Sequence, residues 1–325
     1  MAKKALETAK PRNDLVEILG EFTRFKNIDR AALRAVLEDV FRGVIRKKYG
    51  TDENFNLIIN MEKGDIEAHR ERVVTEDVLV TDENRQIPLS EARIRDPHAE
   101  VGDDLAEVIS FQSFGRRHIL AAKQLLAQKI RELEKTLVFD YYKDLLGEII
   151  VGEVYQIWKN DILVRHEGND LILPKSEQIP RDRFKKGDTI RAVVLEVEMR
   201  NGAPRVVVSR AAPQFLLKLF EAEVPEIYEG VIMVRGVVRE PGERAKMAVE
   251  TYDDRIDPVG ACIGMRGSRI HGIVRELRNE NIDVINYTTN PALLIQRALN
   301  PAKITSIRLD EANRRAEVFL RPDQV

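Results

Sequence analysis

The stretch Ile263-Gly264-Met265-Arg266-Gly267-Ser268-Arg269 decides how the region around it folds. Its two glycines are separated by two residues, and they lie between two predicted helices. A glycine has no Cβ, so a nucleic-acid backbone can approach closely, and the free N–H groups at the start of the second helix can bind a phosphate. Arg266 and Arg269 add positive charge at the same place.

The elements around this loop are predicted in the order α-β-β-α-α-β. A Gly-x-x-Gly loop in such a frame is typical of a KH domain, of type II by this order, which clamps single-stranded RNA. We expect this α+β domain over residues 213–290. The predicted elements are a helix over Gln214–Glu223, a turn at Glu226–Gly230, strands Val231–Arg239 and Lys246–Thr251, a helical segment Asp257–Ile263, a helix Ser268–Arg278 and a strand Ile282–Tyr287.

An isolated Gly-x-x-Gly is more often the end of a helix followed by an ordinary turn. The surrounding frame and the local charge favour RNA binding, because Pro258–Arg308 holds seven basic and three acidic residues. A dinucleotide fingerprint would need another glycine spacing and a preceding strand, and a P-loop would need Gly-Lys-Ser/Thr.

The preceding region, residues 147–212, predicts a small barrel. Short β-branched runs alternate with turns, and Asn201-Gly202 is a strong hairpin signal. Five short strands in so little sequence favour a five-stranded OB-type barrel. The predicted strands are Ile149–Tyr155, Asp161–Arg165, Asp170–Leu173, Thr189–Glu198 and Arg205–Ser209.

The barrel carries aromatic and basic side chains that could stack on bases and follow phosphates. The alternative is that Phe184 is a core residue and that the basic residues form a solvated turn. Because the region has 11 basic and 10 acidic residues, binding by the barrel alone should be weak and sensitive to salt. The candidates are Tyr155, Trp158, Lys159, His166 and Phe184, with the basic cluster Arg181, Arg183, Lys185 and Lys186.

The first 146 residues predict an α/β domain with a long connecting helix. Asp29 would cap a helix over Arg30–Tyr49, and strands Phe55–Asn60 and Ile66–Thr75 flank a Lys63-Gly64-Asp65 turn. A polar stretch with two prolines follows. The apolar spacing after it predicts a long helix, His118–Leu146.

A basic cluster opens this long helix, formed by Arg116, Arg117, His118 and Lys123. From the sequence alone, a solvated helix face is the better interpretation, with a nucleic-acid contact as the alternative.

The tail, residues 291–325, repeats part of the KH pattern. A helix is predicted over Pro291–Ala302, and strands over Ile304–Leu309 and Arg315–Leu320. The last strand resembles Arg244–Val249 in sequence. We expect a partial second KH domain whose strands are poorly supported, because half a domain cannot close its own core.

Composition limits the remaining classes of function. The net charge is only −2, so a nucleic-acid footprint must be local. Cys262 is the only cysteine, no apolar run is long enough to span a bilayer, and no catalytic or ligand-spaced motif is visible. We therefore expect a cytoplasmic protein that is not an enzyme and has no cofactor, metal or membrane partner.

Three runs carry a resemblance to a known family: Phe220–Ile227, Pro241–Lys246 and Arg255–Gly267. With shorter likenesses at Gly147–Gly152 and Ala122–Gln124, they resemble the NusA family of bacterial transcription elongation, termination and antitermination factors over essentially the whole chain.

This resemblance implies an N-terminal domain that binds RNA polymerase near the β-flap, followed by an S1 barrel and KH domains that bind nascent RNA. It admits the polymerase α subunit and other Nus factors as further partners. It places Arg116 and Lys123 near the RNA hairpin and links Arg210 to S1 function. The expected RNA-binding residues are Gly264, Met265, Arg266, Gly267, Arg269, Arg210, Arg116 and Lys123.

Three alternatives remain open at this stage. An S1 and KH accessory factor in ribosome assembly or RNA decay would keep RNA binding and drop the polymerase. An enzyme would use the first domain, although residues 2–146 hold no nucleotide or metal motif. A protein-binding scaffold would tolerate substitution of both loop glycines.

Overall fold

The structure is a computed structural model that describes residues 30–60, 65–109, 114–310 and 312–321. Its contacts divide the chain into two compact units, Met1–Lys135 and Thr136–Val325, and each is described by itself. Asp29, Lys63 and Gly64 of the expected helix cap and turn lie outside the described residues.

The first unit is an α/β domain, as predicted. Strand β2 is its centre, because it pairs antiparallel with β1 and β4 and parallel with β3. The elements are α1 (Arg30–Tyr49), β1 (Phe55–Asn60), β2 (Asp65–Thr75), β3 (Gln86–Pro88), α2 (Leu89–Arg95), β4 (Asp104–Ile109) and the first part of α3 (Gly115–Asp144).

Helices α1 and α3 pack one apolar face each onto this sheet. Leu37 and Phe41 of α1, Leu126 of α3 and Phe55 of β1 belong to one buried cluster. Apolar residues at helical spacing produce this face, so both helices were predictable. Elements β3, α2 and β4 lie in what was predicted to be a polar stretch, because β3 is only three residues long and α2 and β4 are short and rich in charge.

The second unit opens with a closed five-stranded barrel in the order β5-β6-β7-β9-β8, which confirms the predicted architecture. Asn201 and Gly202 have φ of 52° and 69°, the left-handed pair that a two-residue hairpin needs. Tyr142, at the end of α3, is buried in the barrel core. The strands are β5 (Ile149–Trp158), β6 (Asp161–His166), β7 (Asn169–Leu173), β8 (Thr189–Arg200) and β9 (Ala203–Ser209).

The KH region follows in the predicted α-β-β-α-α-β order, and the predicted turn at residues 226–230 contains a short additional helix. Its three strands form the sheet β10-β11-β12, in which β11 and β12 are parallel. The elements are α4 (Pro213–Glu223), α5 (Pro225–Tyr228), β10 (Ile232–Glu240), β11 (Arg244–Thr251), α6 (Pro258–Ile263), α7 (Ser268–Glu276) and β12 (Asn281–Asn286).

The barrel and the KH region share one hydrophobic core. Ile179 and Val193 of the barrel lie in the same buried cluster as Phe215, Phe220 and Met247 of the KH region. These two predicted modules therefore pack against each other directly.

The tail forms α8 (Pro291–Leu299) and a two-stranded sheet of β13 (Ile304–Asp310) and β14 (Arg315–Leu320). The helix ends before the predicted Ala302, since Pro301 disfavours helical backbone at the residue before it. None of the tail residues that the structure describes is buried. Their assignment to a second KH domain stays a prediction, and residues 322–325 lie outside the described ranges.

Where helices are described, none is both long and apolar enough to cross a membrane.

A buried ion pair between Arg239 and Glu280 stabilises the KH region. Arg239 Nε lies 2.8 Å from Glu280 Oε1 and Arg239 Nη2 lies 2.9 Å from Oε2, and both side chains are 0 % exposed. Glu280 also accepts the N–H of Gly242, at 2.9 Å. Arg239 Nη1 donates to the carbonyls of Arg210 and Ala212, so the pair ties the sheet to the segment that enters from the barrel.

Replacing Arg239 by Met should therefore destabilise the fold strongly. The substitution leaves the buried Glu280 carboxylate without its cation, which costs about 3–5 kcal/mol. Arg244→Met is the matched control, because Arg244 pairs with Glu240 in an exposed position, and exposed pairs contribute about 0–1 kcal/mol. Urea unfolding followed by circular dichroism measures both, and equal losses would contradict the assignment.

Candidate nucleic-acid interface

The Gly-x-x-Gly loop joins α6 to α7 through an unusual backbone. Gly264 has φ 73° and ψ 169°, a conformation that is essentially restricted to glycine. Arg266 and Gly267 are both left-handed, with φ of 56° and 80°. The chain therefore turns sharply before Ser268 and presents the first N–H groups of α7 at the loop, where they can bind an anion.

Space around the two glycines is also limited. A Cβ on Gly264 would come within 2.8 Å of Arg269 Cγ. A Cβ on Gly267 would come within 2.7 Å of His271 Cε1. The glycines are thus required by the fold of the loop as well as by any approach of a ligand.

The two arginines of the loop play different parts. Arg269 Nη1 donates to Ala261 O at 2.7 Å and to Glu226 Oε2 at 2.9 Å, so this side chain holds α7 against α6 and α5. Arg266 is exposed and has no ion pair or hydrogen bond to the described residues, and Met265 beside it is 84 % exposed. The free cation at the loop is therefore Arg266, whereas Glu226 largely balances the charge of Arg269.

A second candidate lies on the barrel, around Tyr155 of β5. Its exposed ring has the guanidinium of Arg165 at 4.2 Å from the ring centroid and Lys186 Nζ at 5.3 Å. Trp158 is also exposed, with Lys159 Nζ at 4.8 Å from its ring. Aromatic rings flanked by cations suit single-stranded nucleic acid, since bases stack on the rings and phosphates pair with the cations.

The other barrel candidates have structural partners. Phe184 is half-buried against the barrel core, and His166 Nδ1 lies 2.9 Å from the hydroxyl of Tyr142. Arg183 donates to the carbonyls of Pro180 and Asp182. Arg181 reaches Glu243 of the KH region at 3.6 Å. All four residues of the basic cluster are exposed, and within the described part of the chain the side chains of Lys185 and Lys186 make no ion pair or hydrogen bond.

Arg210 requires a correction. It was expected among the RNA-binding residues, but its side chain is 1 % exposed. Its guanidinium donates to Asp182 at 2.8 Å and to Glu276 at 2.7 Å. A buried and fully occupied guanidinium has no surface to offer RNA, so Arg210 acts between the barrel and the KH region.

In the first unit, acidic and basic residues are concentrated in different segments of the sequence. The small net charge of the whole chain does not reveal this. Segment 76–109 holds ten acidic and three basic residues, a net of −7. Helix α1 holds six basic and two acidic residues, and so does the part of α3 from 115 to 135, a net of +4 each. A segment-by-segment count of charge could have found this division.

Lys123 is exposed on α3, and its side chain has no ion pair or hydrogen bond to the described residues. Arg116 belongs to the first turn of this helix, and its side chain lies outside the described part of the chain. Positions seven residues apart occupy one face of a helix, so positions 116 and 123 are on the same side of α3.

The acidic segment also exposes large apolar side chains. Val78 is 89 % exposed and Ile94 is 83 % exposed, and Leu79 and Val101 are also exposed. Acidic residues repel the phosphates of RNA, so this segment is better suited to a protein partner than to RNA.

Three family models match the chain in succession. The NusA N-terminal domain matches residues 14–136, the S1 RNA binding domain matches residues 143–209, and the NusA-like first KH domain matches residues 210–287.

Curated relatives named transcription termination/antitermination protein NusA match over nearly the whole chain. The relative from Rickettsia conorii is 36 % identical over 310 residues, which cover 94 % of this chain and 61 % of the relative. Those from Bacillus subtilis and Thermus thermophilus are 31 % and 33 % identical, covering 96 % and 88 % of this chain and 83 % and 77 % of the relatives. The chain thus spans about 61 % of the length of the Rickettsia conorii protein.

Substitution by alanine should change the stability of the fold in opposite directions at Gly267 and at Gly272. Gly267→Ala forces a left-handed alanine against the His271 ring and should cost at least about 1 kcal/mol. Gly272 lies in α7, and a Cβ at its position would have nothing within 4 Å, so Gly272→Ala should stabilise by about 0.5–1 kcal/mol through helix propensity. Thermal unfolding measures both, and a gain in stability for Gly267→Ala would refute the loop geometry.

Proposed function

Because this chain belongs to the NusA family, we propose that it is a transcription elongation factor without an active site. It binds RNA polymerase and nascent RNA, and it modulates pausing, intrinsic termination and antitermination. The observation that carries the proposal is the loop of residues 264–267, where a free Arg266 and the start of α7 meet on a KH fold.

The KH loop binds the RNA backbone in this proposal. Gly264 and Gly267 allow close approach, Arg266 pairs with a phosphate, and the N–H groups at the start of α7 bind a neighbouring phosphate. Met265 packs against a sugar or a base. Strand β12, at the edge of the described KH sheet, reads unstacked bases.

The barrel extends this contact. Tyr155 and Trp158 stack on bases and Lys186 pairs with a phosphate, so that one RNA strand engages two sites. Asp170 accepts from Arg165 Nε at 2.7 Å and largely balances the charge of that arginine. Because the two sites lie on modules that share a core, binding at one raises the effective concentration of RNA at the other.

The first unit divides its surface between the polymerase and RNA. Its acidic, apolar segment 76–109 docks on a basic and apolar surface of RNA polymerase near the β-flap, with the α subunit and other Nus factors as further partners. Its basic helices α1 and α3 face nascent RNA, with Arg116 and Lys123 as contacts. Such a factor works in the cytoplasm.

The alternative function is an S1 and KH accessory factor in ribosome assembly or RNA decay. It would bind RNA through the same loop and would have no use for the acidic, apolar segment. Binding to polymerase therefore separates the two.

The double variant Met265→Asp/Arg266→Asp should lower RNA affinity by on the order of tenfold or more. It places acids at the phosphate site and keeps both glycines, and aspartate tolerates the left-handed backbone at residue 266. Fluorescence anisotropy with a labelled, unstructured RNA across a salt series measures the loss. The magnitude of the salt slope should also fall by about one.

Tyr228→Asp/Arg255→Asp is the control, because it makes the same change in charge at two other exposed positions of the KH region, the end of α5 and a turn. It should bind RNA nearly as the wild type does. Equal losses in the two double variants would show that net charge, and not the loop, carries binding.

Val78→Ser/Ile94→Ser should weaken binding to bacterial core RNA polymerase by roughly tenfold and leave RNA affinity unchanged. Truncating two central apolar contacts costs about 1 kcal/mol or more in a protein interface. Biolayer interferometry measures it, with Ile58→Ser on β1 as control. If polymerase binds the double variant as tightly as the wild type, the docking surface lies elsewhere on the chain. If polymerase does not bind the wild type at all, the accessory factor is the better interpretation.

A further inference from the structure

The C-terminal end of α7 is fixed by charged groups of the barrel. Arg210 Nη2 donates to the carbonyl of Glu276, the last residue of α7, at 2.9 Å. Arg210 Nη1 donates to the Glu276 carboxylate at 2.7 Å and to the carbonyl of Arg191 on β8, also at 2.7 Å. A cation at the C-terminal carbonyls of a helix is favourable because it meets the negative end of the helix dipole.

Asp182 joins two arginines in the same place. Its carboxylate, 1 % exposed, accepts from Arg210 Nε at 2.8 Å and from Arg278 Nε at 3.0 Å. Arg278 and Asn279 have φ of 59° and 64°, so the chain leaves α7 through two left-handed residues that are not glycine. The bond from Arg278 to Asp182 holds this strained exit against the barrel.

Aromatic rings enclose the central guanidinium. The Arg210 guanidinium carbon lies 5.3 Å from the ring centroid of Phe184 on the barrel side and 5.2 Å from that of Phe215 on α4. Its planar, forked shape fits these rings and the five bonds to Asp182, Glu276 and Arg191 at once. A lysine could not reproduce this geometry. We call Asp182, Arg210, Glu276 and Arg278 the joint.

The RNA loop lies at the other end of the same helix. Helix α7 runs for nine residues, from Ser268 beside the loop to Glu276 in the joint, a length of about 13 Å. A tilt of about 10° at the joint would displace the loop by roughly 2 Å, more than the roughly 0.5 Å to which a binding site must be held.

We propose that Asp182 and Arg210 are positioning residues for RNA binding. They fix α7 to the barrel, and thereby set the orientation of the Gly264–Gly267 loop relative to the aromatic site at Tyr155. Arg210 thus contributes to RNA binding without touching RNA. The inference rests on the proposed RNA-binding function and names the residues that make the barrel and the loop one site.

The test compares Arg210→Lys with Arg275→Lys in the full chain. Both substitutions keep the charge, and Arg275 is an exposed residue of α7 whose side chain makes no ion pair or hydrogen bond to the described residues. Affinity is measured by anisotropy with an RNA long enough to contact barrel and loop together. We expect a loss of roughly tenfold for Arg210→Lys, since the two contacts no longer act together, and none for Arg275→Lys.

The distance between barrel and loop is a second readout, and a change in stability alone would not alter it. Spin labels at Glu196→Cys on β8 and Met265→Cys in the loop report the separation of barrel and loop by pulsed electron paramagnetic resonance. The native Cys262 thiol is buried, and burial raises its pKa to about 12, so it stays protonated and unlabelled. Arg210→Lys should broaden the distance distribution, and Arg275→Lys should leave it narrow.

If Arg210→Lys does not fold, the same comparison is made between Arg278→Ala and Arg275→Ala, because Arg278 is an exposed member of the joint. An affinity loss with an unchanged distance distribution would overturn the proposal, and so would a broadened distribution with unchanged affinity. A wild type that binds no RNA would overturn the proposed function and this role with it. The wild type therefore tests the proposed function, and the variants test the positioning role.

Discussion

The buried contact between Arg210 and Asp182 is the constraint on which the second unit depends. It occupies the point where the last barrel strand passes into the KH region, and it holds both the barrel and the end of α7. Burying charges is costly unless each is paired and hydrogen-bonded. Every N–H of the Arg210 guanidinium has an acceptor. A second buried pair, Arg239 and Glu280, fixes the connection between barrel and KH region from the side of the KH sheet.

Much of the fold could be predicted because its signals are local. The helix Arg30–Tyr49 and the order of elements around the Gly-x-x-Gly loop follow from apolar periodicity and turn residues, and the structure confirms both. Elements β3, α2 and β4 were missed because all three are short and the last two are rich in charge. Contacts with β2 and a small core at Val74 and Ile87 stabilise them.

The site could be predicted only in part, for a related reason. Glycine spacing located the loop, but sequence alone could not tell a free arginine from a paired one. Arg269 is held by Glu226, 43 residues away, and Arg210 by Glu276, 66 residues away. Such pairings exist only in the folded chain, and they turn two expected RNA contacts into groups that shape the site. The exposed Arg266 and the exposed ring of Tyr155, with Lys186 beside it, are what the fold leaves available to RNA.

In the function that we propose, nascent RNA lies on the KH loop and the barrel while the first unit holds polymerase. The most direct measurement places 4-thiouridine at successive positions of the nascent RNA in a stalled elongation complex, crosslinks it to the chain and identifies the peptides by mass spectrometry. We predict crosslinks at residues 264–269 and around Tyr155, at positions that have just left the polymerase. Crosslinks confined to the acidic segment 76–109, or none on the second unit, would contradict the account.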